Sequence, residues 1–66
     1  MKVRFLGTTS DGGGCPAAYD TDRRTFIVQG KIVSDPEALA GLVNLAPDET
    51  VVEIPKELLR YFTENR

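Results

Sequence analysis

The first alternation in the chain is "KVRFLG", in which Val3 and Phe5 point one way and Lys2 and Arg4 the other. A period of two predicts a half-buried strand. "TTSDGGG" interrupts it, because Ser and Asp satisfy turn backbone groups and glycine relaxes the backbone. "CPAAYDT" predicts a second strand with Cys15, Ala17 and Tyr19 on one face. Pro16 donates no backbone hydrogen bond and so belongs at the start or edge of that strand. "DRR" at 22–24 is a turn into "TFIVQGKIV", the longest strand-like run. Within it Gly30 signals a bulge or the close approach of another backbone. Residues 1–33 therefore predict a three-stranded antiparallel meander.

The period changes at "SDPEALAGLVNL". Ser34 and Glu37 match a capping box, Pro36 suits a first helical turn, and Leu39, Leu42 and Val43 share a face. Gly41 weakens this helix, which should stop near Asn44. After the turn "APDE", "TVVEIP" predicts a fourth strand with Val52 and Ile54 inward. "KELLRYFTENR" then predicts a closing helix with an apolar stripe of Leu58, Leu59, Tyr61 and Phe62. The order β-β-β-α-β-α describes an α+β fold, a small antiparallel sheet with two short helices packed on one face. Its 66 residues make a single domain, 1–66.

Size narrows the function. A chain of 7.2 kDa has the material for one small core, and an enclosed active site typically needs about 300 Å³ of further organised volume. We therefore read the chain as not an enzyme and as needing no cofactor. Net charge is −2, against the basic patch that phosphate backbones require, so DNA contact by the chain alone is disfavoured. Charge is unevenly divided, +2 over residues 1–33 and −4 over 34–66. An acidic half suits a basic protein partner, although a solvated surface is the simpler reading. One cysteine cannot staple a small fold, and no run of about 18 apolar residues exists. The expectation is a soluble, cytoplasmic protein with no membrane partner.

Several stretches invite a chemical reading. "SDGGGCP" lacks the Lys-Ser/Thr and the following helix that make a glycine run a phosphate cradle, so a hairpin loop is favoured. Cys15 has no histidine anywhere in the chain to serve as its base; a small buried hydrophobe is favoured over a redox handle. Arg23 and Arg24 sit at a predicted hairpin tip flanked by Asp20 and Asp22, which offset their field. Asp48, Glu49 and Glu53 lack a scaffold that would converge their oxygens on a metal.

The sheet faces carry more weight. Parity puts Val3, Phe5, Phe26, Val28, Ile32, Val52 and Ile54 on one face, leaving Leu6, Ala18, Ile27, Val33 and Val51 on the other. Two short helices cover one face of a four-stranded sheet, and a second apolar face implies a protein contact. Leu6, Ile27, Val33, Val51 and Tyr61 are the candidate interface residues, with a second copy of the chain or a regulatory protein as partner. The alternative is a small DNA-binding or ligand-sensing domain using Arg23, Arg24 and Lys31.

The motifs "TSDGGGCP", "TFIVQGKIVSDPEAL" and "VVEIPKELLRYF", in that order, resemble small actinobacterial proteins of the BldB type. That resemblance implies an accessory or antitoxin-like role beside helix-turn-helix regulators of the WhiJ type, with no catalytic residues to carry over. "EIPKELLRYF" is also similar to the strand-to-helix step of swapped-hairpin AbrB-type DNA-binding domains.

Overall fold

The structure, a computed structural model, describes residues 1–12 and 15–63. It is an α+β fold built on two small antiparallel sheets. The first holds β1 (Val3–Thr8), β2 (Ala17–Thr21) and β3 (Phe26–Gln29) in the order β1-β2-β3. The second pairs β4 (Lys31–Ile32) with β5 (Val52–Glu53). Between them lies one short α-helix, α1 (Pro36–Ala40), and after β5 comes a 3-10 helix, Lys56–Tyr61.

The predicted meander is present, but the fourth strand does not join it. Gly30 divides the third run into β3 and β4, and β5 follows β4 into the separate sheet. A Cβ on Gly30 would lie 2.8 Å from the carbonyl oxygen of Glu53 and 2.8 Å from Ile54 Cγ2. The glycine thus admits the backbone of β5, as its place inside a strand run implied.

The β2–β3 hairpin turns through Asp22, Arg23 and Arg24, with Arg24 left-handed at φ 64°. This is the three-residue connection in which a final αL residue restores the strand twist. Thr21 fixes the turn: its backbone N–H donates to the Thr25 carbonyl at 3.1 Å, and its Oγ1 accepts from the Arg23 N–H at 3.0 Å. At the other hairpin, Thr8 Oγ1 donates to the Pro16 carbonyl and accepts from the Ser10 N–H. Gly13 and Gly14, within the predicted "SDGGGCP" loop, lie outside the described residues.

The closing helix is shorter and tighter than its sequence stripe suggested. In a 3-10 helix side chains three apart eclipse, so Leu58 and Tyr61 face the sheet while Leu59 turns outward at 61% exposure. Leu58 is the largest fully buried side chain. Tyr61 lies against the Cα of Gly7 and donates from its hydroxyl to the Thr8 carbonyl at 3.5 Å. Phe62 meets Phe26 edge to face, with centroids 5.2 Å apart. The expected continuation of this helix over 64–66 falls outside the described residues.

The 3-10 helix covers the sheet, packing on β1 and β2. In α1 no residue is buried, so the expectation of two helices packed on one face holds for one of them. Asp35, not Ser34, is the N-cap, its carboxylate accepting from the Ala38 N–H at 3.2 Å. Gly41 ends α1 instead of being carried inside it, which stops the helix four residues before Asn44.

Candidate interaction surface

Strand register decides which side chains share a face. Phe5 pairs with Tyr19 and Tyr19 with Ile27, so these three form one row across the sheet, and Val3 beside Thr21 continues the same face. Gly7, Ala18 and Val28 form a row on the opposite face, beneath Tyr61. The register shifts between Phe5 and Gly7, a β-bulge at Leu6. The parity assignment of Val3 and Phe5 to the covered face is therefore corrected. They stand with Ile27 on the open face, whereas Phe26 and Val28 belong to the covered one.

The open face is apolar. Val3 is 54% and Phe5 56% exposed, and Ile27 is also solvent-accessible. Phe5 and Tyr19 form an edge-to-face pair with centroids 5.9 Å apart, and the Tyr19 hydroxyl donates to Gln29 Oε1 at 3.0 Å. These contacts hold the two rings in place on the sheet surface without removing them from water.

A second apolar surface lies on the excursion 34–50. It leaves β4 and returns to β5 through a hydrogen bond from the Val33 N–H to the Val51 carbonyl at 3.2 Å. Leu39, Leu42 and Leu45 are exposed, and Val43 is 82% exposed. Locally the excursion is well braced. Asp35 caps α1, and Glu49 Oε1 accepts from the Ala46 N–H at 2.9 Å while the Glu49 N–H donates back to the Ala46 carbonyl at 3.0 Å. Its shape is held by short-range bonds, and its leucines stay partly open, each 39–47% exposed.

Of the candidate interface residues, Ile27 is exposed, whereas Leu6, Val33, Val51 and Tyr61 are half-buried. Tyr61 is engaged with Gly7 inside the chain. Among the basic candidates, Arg23 and Arg24 occupy the β2–β3 tip and Lys31 begins β4 at the far end of β3. Strand rise over that span separates Arg24 from Lys31 by on the order of 20 Å. They do not converge. At the basic end of the sheet Arg4 pairs with Asp20 at 3.0 Å, and the Arg23 guanidinium reaches Met1 Sδ at 3.9 Å.

Cys15, expected to be buried on β2, precedes that strand and is half-buried. It joins Pro16, Lys31, Glu53, Ile54 and Pro55 around a cleft of about 340 Å³. Its thiol lies 3.9 Å from the Gln29 carbonyl. Among the described residues no group of three or more His, Cys, Asp or Glu is arranged to hold a metal ion, and no helix is long and apolar enough to cross a membrane.

Total accessible surface draws these observations together. A compact 7.2 kDa monomer exposes about 4,100 Å², and this chain exposes 5407 Å². Its radius of gyration is 13.3 Å, against about 11 Å for a compact chain of this length. Comparison with protein-family models, with curated proteins and with solved structures finds no match to this chain.

Proposed function

We propose that this chain is a non-catalytic protein-interaction module, an accessory partner of a helix-turn-helix transcriptional regulator in the cytoplasm. The observation that carries the reading is the set of apolar side chains left open on two surfaces. Val3, Phe5 and Ile27 are open on one sheet face, and Leu39, Leu42, Val43 and Leu45 on the excursion. Apolar side chains left open together on one face mark a protein contact. The regulator as partner rests on the BldB-type motifs and on the acidic second half, which suits a basic protein. The wide separation of Arg24 from Lys31 weighs against the phosphate-binding alternative, since counterion release needs clustered cations.

The test is site-specific photo-crosslinking in the cell, with a photoreactive phenylalanine analogue in place of Phe5. Cross-links to a helix-turn-helix regulator, to another copy of the chain, or to both are the expected products, identified by mass spectrometry. A folded chain that cross-links to no protein, or that binds DNA below about 10⁻⁶ M in a salt-sensitive manner, would overturn the reading.

A further inference from the structure

We infer that two copies of this chain form a two-fold dimer by reciprocal exchange, the excursion 34–50 of each copy lying across the open sheet face of the other. The inference rests on the interaction-module reading and specifies what covers its apolar surfaces.

Three observations converge on a second copy. The first is pairing of kind: one chain carries two separate apolar surfaces, and each is of the type that would cover the other. The flat row of Phe5, Tyr19 and Ile27 offers aromatic and β-branched surface, and the excursion offers Leu39, Leu42, Val43 and Leu45. Within the chain α1 buries none of its residues, and Val43 beyond it is 82% exposed.

The second is charge. Residues 34–50 contain Asp35, Glu37, Asp48 and Glu49 and no base. The sheet end beside Val3 carries Lys2, Arg23 and Arg24, with Arg4 paired to Asp20 on the opposite face; with Asp22 counted as well, that end keeps a net charge of +2. Arg23 is drawn towards Met1 at that same end. An acidic apolar arm laid on an apolar face with a basic end gains electrostatic complementarity, which sets the orientation of the contact.

The third is area. A standard interface removes about 800 Å² from each partner. The chain's total accessible surface of 5407 Å² exceeds the about 4,100 Å² of a compact chain of this mass, a difference large enough to contain an interface of that size. Because each copy both gives an arm and receives one, a two-fold axis closes the assembly at two chains.

Reciprocity makes the proposal testable in a way that a simple face-to-face dimer is not. Phe5→Glu damages the receiving face and Val43→Glu the donated arm. Both positions are exposed, so folding survives, and far-ultraviolet circular dichroism with thermal melting checks this. Sedimentation of the full chain from micromolar to millimolar concentration is expected to show a species of twice the 7.2 kDa chain mass. Each variant alone should raise the dimer dissociation constant at least about 30-fold, the loss typical of a central contact residue.

Mixing the two variants restores one intact contact, the arm of the Phe5→Glu copy on the face of the Val43→Glu copy. The mixture should therefore associate more tightly than either variant alone. A wild-type chain that stays monomeric at millimolar concentration would overturn the dimer. If Phe5 still cross-linked to a regulator in that case, the interaction-module reading would survive it. A dimer whose mixed variants show no gain would overturn the arm exchange, as would open-ended assemblies larger than two chains.

Discussion

Replacing Gly7 with alanine places a methyl group where the ring of Tyr61 now lies. An added Cβ would overlap Cδ1 and Cε1 of that ring and sit 2.6 Å from its Cγ. The backbone of Gly7 is not in the left-handed region, so the penalty comes from this contact and not from the chain conformation. The ring cannot give way cheaply. It carries the 3.5 Å hydrogen bond to Thr8 and stands one 3-10 turn from Leu58, the largest fully buried side chain. Overpacking of this kind costs about 1–3 kcal/mol. A chain of 66 residues has a total stability of only about 3–10 kcal/mol.

The expected loss for Gly7→Ala is about 2 kcal/mol, a melting-temperature drop of roughly 10 °C in a domain this small. Urea denaturation followed by circular dichroism measures it. The informative step is the double-mutant cycle with Tyr61→Ala. Once the ring is gone, Gly7→Ala should be near neutral, or stabilising by a few tenths of a kcal/mol through the stiffer unfolded chain. Equal effects in both backgrounds, or a silent Gly7→Ala in the otherwise unchanged chain, would refute the docking of the 3-10 helix through Gly7.

Leu58→Ala should destabilise by about 2–5 kcal/mol, which leaves much of the chain unfolded at 25 °C by the same urea assay. Arg24→Gly relieves a left-handed residue and should raise stability by about 0.5–1 kcal/mol, the αL penalty less the entropy of the added glycine; a loss would show that Arg24 makes a contact worth more than its strain. Cys15→Ser should change stability by less than about 0.5 kcal/mol, as expected away from the core, and the native thiol should react with a thiol reagent without unfolding. Slow labelling limited by global unfolding would contradict its position at the cleft edge.

The same kind of sequence feature was legible in one strand and missed in another. Gly30 inside an apolar run signals either a bulge or a close backbone, and β5 supplies the second. Gly7 carries a comparable signal, but it adjoins the turn-forming "TTSDGGG" and reads as the end of a strand that in fact continues to Thr8. The bulge beside it shifts the register, which is why Phe5 shares a face with Ile27 instead of Phe26. Alternation identifies a strand but carries no information about which face a neighbouring strand matches across a bulge. The two helical segments show the complementary limit. Capping and proline located the starts of both, yet whether α1 packs depends on tertiary contacts that its apolar spacing does not encode. Leu39, Leu42 and Val43 have the spacing of a buried stripe and lie open. That mismatch between pattern and burial is itself the strongest pointer to a partner.

In the proposed module the face formed by Val3, Phe5, Tyr19 and Ile27 is a protein contact and not a solvated surface. Methyl nuclear magnetic resonance with a soluble paramagnetic agent tests it most directly, comparing dilute protein, millimolar protein and protein mixed with a helix-turn-helix regulator. Ile32 and Leu59, exposed outside the proposed surfaces, provide the internal reference. Val3 and Ile27 methyl signals should be relaxed by the agent in dilute solution and become protected relative to Ile32 and Leu59 at millimolar concentration or with the regulator. Equal relaxation of all four residues under every condition would contradict the account.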